Sequence, residues 1–297
     1  MHSGTASASM LQPQVLPTIY RGNEQAAVVR DVLINASTSS DSIVVLQESG
    51  FTNAAAEVAE ATAVDGSGLS GGVKPESAIT FTEASFPVRW IAHWIPMTRQ
   101  MLEDLPAMQS YAELRLRDGL TRREDQQLLN GDGSAPNIRG ILNTSGIQAL
   151  DAAYFTANPV SNAGEDVENL NRILRAKMKV MLTGGANATF CIVNPGDYEK
   201  MLTIGNSNTT YMFGGPAAGN VATIWGLPVV QSERIAAGTA LVGDGTMAAV
   251  FDRHQARLYT TDSHSDFFVR NVLVMLAEER IALAVFRPIA FASVALV

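Results

Sequence analysis

The stretch WIAHWIPMTRQMLEDLPAMQSYAELRLRDGLTRREDQQLLNGDG, residues 90–133, decides the fold. Its second part predicts one long helix. Asp104 suits the N-cap and Pro106 the first turn, where a missing N–H costs nothing. Met108, Ala112, Leu116 and Leu120 recur at every fourth residue as one stripe, flanked by Tyr111. Glu113 with Arg117 and Asp118 with Arg122 are i,i+4 pairs in the favourable orientation. The stripe then stops, because residues 121–127 contain no apolar side chain. Leu128 and Leu129 restore it, and the glycines of Asn130-Gly131-Asp132-Gly133 end the helix. About 24 residues at about 1.5 Å each make a rod of roughly 36 Å. A helix this polar over its second half lacks a private core. It suits contact with another chain, or an exposed position on a monomer.

The totals describe an ordered globular protein. At 297 residues the chain can bury a sizeable core and divide into two domains. Hydrophobic residues make up 46% and charged residues 17%, which excludes a disordered chain. The formal net charge of -8 gives no general attraction to nucleic acid. Cys191 is the only cysteine, so no intrachain disulfide forms; within Phe190-Cys191-Ile192-Val193 it reads as a buried small hydrophobe. No apolar run reaches transmembrane length, since Glu278, Glu279, Arg280 and Arg287 break the apolar C-terminal region. The opening MHSGTASASM lacks the basic start and apolar centre of a signal peptide. The expected compartment is the cytoplasm of the producing cell.

Outward from the helix, residues 1–44 read as an extended arm with scattered prolines. Residues 42–47 (SIVVLQ) predict a strand, residues 64–72 (VDGSGLSGG) a flexible tip, and residues 79–81 and 88–94 a returning strand. Together they make a long β-hairpin that buries little by itself. From about residue 140 the text alternates. Residues 166–182 predict a helix through Val167, Leu170, Ile173, Leu174, Met178 and Met181. Residues 189–193 predict a strand, 197–202 a short helix, and 225–230 and 240–242 buried strands. That alternation marks an α/β or α+β unit. Strands are predicted again at 249–251, 257–260, 269–276 and 281–286. No internal repeat is present.

Candidate chemistry is sparse. Gly66-Ser67-Gly68-Leu69-Ser70-Gly71 matches GxGxxG in letters, but no helix pattern follows it and Pro75 stands close by, so a mobile tip is expected rather than a dinucleotide site. His2, His93, His254 and His264 have no metal-ligand spacing, and no metal or cofactor is expected. No GxSxG elbow occurs. Lysine is rare: Lys74, Lys177, Lys179 and Lys200 stand against 17 arginines. Lys74 is the only one in the first half of the chain and sits beside the flexible tip.

Several blocks in order resemble the major capsid proteins of tailed double-stranded DNA bacteriophages, whose fold is shared with encapsulin shells. They are KPESAITF (74–81), AHW (92–94), the helix ending in LLNGDG (128–133), NP (194–195), YMFGGP (211–216), WGLPVV (225–230) and AEERIALAVFRP (277–288). The resemblance implies an α+β phage major-capsid fold. Its parts would be an N-terminal arm (1–44), an extended β-hairpin loop (45–94), a peripheral domain with a long spine helix (95–140 and 250–297) and an axial α/β domain (141–249). It implies a structural protein, not a turnover enzyme. Subunits would assemble in the bacterial host cytoplasm into hexamers and pentamers of an icosahedral virion head, with a portal and a scaffolding protein as partners and no membrane. The head would enclose double-stranded DNA without sequence-specific binding. An acidic, non-adhesive wall is compatible with that task. In relatives with an N-terminal scaffolding segment the mature arm begins near the position of Met1 here, so the expectation is either a separate scaffold, which the initiator-like Met favours, or a processed or trimmed chain.

One subgroup of that family joins its subunits covalently, a lysine attacking a neighbour's asparagine with a glutamate's help. The resemblance places Lys74, Asn271 and Glu278 at those three positions. Amines attack only when neutral, so the lysine needs desolvation or a general base. A carboxylate in an apolar setting such as Met275-Leu276-Ala277 is a stronger base. The loop before Lys74 is longer than in the crosslinking pattern. Asn271 also reads as a strand-end hydrogen bonder, and Glu278 as an ion-pair partner for Arg280 or Arg287. Two other functions compete with a phage head: an encapsulin-like compartment packaging an enzyme, and a soluble α/β enzyme using the glycine-rich loop.

Overall fold

The structure, a computed structural model, describes residues 28–64, 68–70, 72–104, 107–159, 165–204 and 223–297. Residues 1–27 of the expected arm, Gly66, Ser67 and Gly71 of the GxGxxG stretch and the YMFGGP block lie outside the described residues. A 3-10 turn (Arg30–Val32) leads into β1 (Ile34–Ser37), then β2 (Ser42–Thr52), the short pair β3 (Thr62–Val64) and β4 (Gly68–Ser70), β5 (Ala78–Pro87) and β6 (Arg89–Thr98). Helices α1 (Arg99–Asp104) and α2 (Ala107–Asn130) follow. Next come β7 (Gln148–Leu150), α3 (Ala152–Ala157), α4 (Glu165–Leu182), β8 (Phe190–Val193), α5 (Pro195–Leu202), β9 (Thr223–Ile224), β10 (Leu227–Gln231) and β11 (Thr239–Gly243). The chain ends with β12 (Ala248–Thr261), β13 (Val272–Val285) and β14 (Phe291–Ala295).

The long helix α2 has 24 residues, the predicted length. Asp104 does not open it: Asp104 ends the separate helix α1, and α2 begins at Ala107. The exit follows the glycine reading. Gly131 donates its N–H to Gln127 O at 3.0 Å, and Asn143 Nδ2 covers the freed carbonyl of Asn130 at 2.9 Å. A Cβ on Gly131 would overlap Ile138 O, so only glycine lets the returning loop pass this close.

Two sheets organise the rest. The first runs β1-β12-β13-β6 and carries α2 on one face. The second runs β7-β14-β11-β8-β10-β9 and carries α4, which buries Leu170, Ile173, Ala176 and Val180. Its mixed pairing, with β8 parallel to β10 but antiparallel to β11, confirms the α+β reading. β14 belongs to this second sheet and β13 to the first, so the C-terminal strands bridge both.

Three strand expectations change. Residues 269–276 and 281–286 are parts of one strand, β13, because the charged residues between them keep the alternation. Ala277, Glu279 and Ile281 turn inward, while Glu278 and Arg280 turn outward. Residues 249–251 and 257–260 likewise belong to one strand, β12, which has register shifts near His254. The hairpin partner of β2 is β5, and residues 88–94 do not return along it. They fall mostly in β6, which pairs with β13. Val88 is buried and its N–H goes to Asp41 O, so the chain leaves the hairpin there and enters the sheet.

Candidate functional site

The polar half of α2 is not turned wholly outward, as its composition suggested: Thr121, Arg123 and Gln126 are exposed, but the opposite side is not. Glu124, Asp125 and Gln127 are buried inside this chain. The four-residue stripe continues through them, since Ala112, Leu116, Leu120, Glu124 and Leu128 all lie on it and all are buried. Gln127 Oε1 accepts Ile138 N–H at 3.0 Å and so holds the loop after the helix. Asp125 accepts the N–H of Val28 at 2.9 Å and of Val29 at 3.3 Å. Arg30 donates to Glu124 at 2.7 Å, to Asn35 at 2.9 Å and to Asp252 of β12. The segment ahead of β1 is therefore stitched to both the helix and the sheet. Burial first, then the neighbouring Glu279, pushes Glu124 up to about 8, and burial pushes Glu279 up to about 7.

The β2–β5 ribbon has two unlike faces. Directly opposed residues share a face. One face holds the Ile43–Phe86 and Val45–Ala84 pairs, then Gln47, whose Nε2 donates to Val285 O at 2.7 Å. That face roots the ribbon on β13. The other face holds Val44, Leu46, Phe81, Ile79 and Phe51, all exposed, with Leu46 at 71%. Phe51 shares this face with Leu46 only because the register shifts between Glu48 and Gly50. An unbulged ladder running straight through these residues would turn Phe51 to the opposite side. The bulge keeps Phe51 on one face with the other apolar side chains, among which Glu48 and Glu83 also stand, and none of the described residues covers that face. Such a patch on a soluble chain marks an interaction surface.

A second uncovered surface lies on the sheet face away from α2. Trp90, Trp94 and Tyr259 are about half exposed there. Arg280 lies 5.1 Å from the Trp90 ring, and Trp94 stands 5.8 Å from His264. Glu278 sits in this face, opposite Ala92 on β6 and Arg257 on β12. It is partly exposed, so the apolar enclosure expected from Met275-Leu276-Ala277 is not formed within one chain: Met275 and Ala277 point to the other side, into the core.

Asn271 stands exposed just before β13 with φ 55. Its carbonyl accepts Arg99 N–H at 2.8 Å, so an asparagine, which tolerates that backbone, also has a structural reason to be there. Lys74 is exposed between β4 and β5. Asn271 and Glu278 are seven positions apart, roughly 20 Å along an extended strand. The ribbon carrying Lys74 is rooted at the opposite end of β13 from Asn271. No side-chain hydrogen bond or ion pair links the three. A single subunit leaves them apart.

Cys191 is fully buried, and burial pushes its thiol up to about 12, as befits a core residue. Among the described residues no group of three His, Cys, Asp or Glu is arranged to hold a metal ion, and no helix is long and apolar enough to cross a membrane.

A long helix braced on one sheet, a mixed second sheet and a projecting ribbon with an uncovered apolar face define a subunit built to contact copies of its kind. Residues 8–295 match the phage capsid family, and the chain belongs to that family. It is 36% identical over 287 residues to the major capsid protein of Enterobacteria phage HK97, covering 96% of this chain and 69% of that one. Its fold is similar to the capsid of a native GTA particle (TM-score 0.72, 17% identity, 99% of this chain and 98% of that one). It is also similar to a structure from Mycobacterium phage Bobi (TM-score 0.72, 14% identity, 97% of this chain and 96% of that one).

Proposed function

We propose that this chain is a major capsid protein, a structural subunit that assembles with its own copies into hexamers and pentamers of an icosahedral head around double-stranded DNA. The observation that carries the reading is the ribbon face of Val44, Leu46, Phe51, Ile79 and Phe81, which the described residues of its own subunit leave open. The occupant of that face is a second copy of the chain. In this reading residues 1–44 form the arm, 45–94 the extended loop, 95–140 with 250–297 the peripheral domain and 141–249 the axial domain. A portal protein is a further partner, and a scaffold guides assembly. It assembles in the host cytoplasm and ends in the virion. Light scattering and electron microscopy of the purified protein test this. Closed megadalton particles are expected, and a small soluble oligomer alone would sink the reading. Nucleic acid inside native particles supports a head; a packaged enzyme in its place favours a nanocompartment.

We further propose that Lys74, Asn271 and Glu278, from different subunits, form a covalent crosslink. Lys74 Nζ attacks the Asn271 side-chain carbonyl carbon, the new C–N bond replaces the amide C–N bond, and ammonia leaves. Glu278 takes the proton from the attacking amine and passes it to the leaving nitrogen, which departs as ammonia. A neighbour laid over the Trp90–Trp94–Tyr259 face would supply the desolvation that one subunit lacks. Mature particles boiled in detergent should give ladders on a denaturing gel that Lys74→Arg abolishes. A single band near the chain mass of 31.7 kDa would refute it.

A further inference from the structure

The junction of α2, the first sheet and the segment ahead of β1 buries more acid than base. Glu124 and Asp125 come from α2, Asp252 from β12 and Glu279 from β13. The segment ahead of β1 brings Arg30 and Asp31, and Arg234 acts on Asp125 from the loop after β10. Arg30 is the one cation acting on both Glu124 and Glu279 among the described residues. It bonds Glu124 and Asp252. Glu279 receives no such bond: it is 4% exposed, stands opposite Ile91 of β6, and its Oε1 has no hydrogen-bond partner. Asp252 Oδ1 is also buried and unpartnered.

Three carboxyls around one guanidinium cannot all be ionised in such a place without leaving uncompensated buried charge. Protons make up the difference. We propose that this junction is a proton-operated latch, holding the Arg30 segment between α2 and the sheet while Glu124 and Glu279 carry protons and loosening it as they ionise.

The geometry sets the direction. Arg30 lies between acids from three elements, α2, β12 and β13, and bonds two of them, so its hold on helix and sheet depends on the charge those acids carry. Burial raises Glu124 and Glu279 above their ordinary value of 4.5, to about 8 and about 7. It raises Asp125 as well, against the pull of its two backbone N–H bonds. Groups raised by folding contribute stability that is complete below about pH 4.5 and is lost as pH climbs through 7 and 8. This sense is opposite to that of a surface carboxylate paired with a cation, which weakens on acidification. The hold on residues 28–37 thereby depends on pH.

Hydrogen exchange by mass spectrometry on the full-length chain tests the latch, with intrinsic exchange rates corrected at each pH. The opening constant of residues 28–37 should rise roughly tenfold or more between pH 5.5 and 8. In Glu124→Gln and in Glu279→Gln that rise should fall to less than about threefold, whereas Glu83→Gln on the exposed ribbon should keep it whole. A flat wild-type profile overturns the proposal. So does an undiminished slope in both buried variants. If one variant fails to fold, the other carries the test alone.

Discussion

Replacing Phe81 with Ser isolates what the ribbon face contributes to assembly. Phe81 is 60% exposed in the subunit. A phenylalanine carries roughly 200 Å² of surface, so about 120 Å² awaits a partner. Covering that area at about 25 cal/mol per Å² contributes about 3 kcal/mol, an upper figure because the covering contact is imperfect. The costs of association are common to both proteins, so the difference appears directly as roughly 100-fold weaker pairing per contact. The assay is the protein concentration at which light scattering first reports particles, read beside the urea midpoint of the unassembled subunit. Phe81→Ser should raise the first strongly and leave the second nearly unchanged. Phe51→Ser provides an independent arm, since Phe51 is 60% exposed on the same face, and assembly should weaken by a similar factor. A Phe81→Ser subunit that assembles at the wild-type concentration refutes the reasoning. A variant that lowers the urea midpoint instead shows that Phe81 serves its own subunit.

The helix and its junction make further predictions. Leu116 is fully buried under α2, so Leu116→Ala should cost about 2–5 kcal/mol in urea unfolding of the subunit. At Gly119 an added methyl would overlap the His93 ring, whose Nε2 donates to Leu116 O at 2.8 Å; Gly119→Ala should destabilise by about 1–3 kcal/mol, and an unchanged midpoint would show that the helix shifts freely over β6. Glu279→Gln should raise stability at pH 8 by up to about 3 kcal/mol and do nothing at pH 4.5, because burial favours the protonated acid; thermal melts at the two pH values check this sign.

How far the fold was legible follows from which signals are local. The length and exit of α2, the hairpin start at β2, the alternating unit around β8 and the buried Cys191 all came from periodicity and turn residues within a few positions of each other. Asp104 misled because it caps well in isolation, while the chain uses it to finish a different helix. Residues 277–280 misled because charges on an outward face resemble an interruption when β13 is read alone. Residues 88–94 were read as hairpin because their true partner lies far along the chain, in β13. The candidate crosslink residues were placed only by family resemblance, and the single subunit leaves them apart.

The polar residues 121–127 mark the division most sharply. The amino-acid sequence alone determined that α2 is a long helix ending at Gly131, because capping, spacing and glycine conformation are properties of neighbouring residues. It also held Glu124 four places after Leu120, on the buried stripe. Whether a glutamate on that stripe lies in water, against another chain or inside its own was decided only by tertiary structure. Arg30, Asp252 and Glu279 come from three separate elements, and their convergence on Glu124 sets its charge: burial and the two acids favour the protonated form, while Arg30 favours the ionised one.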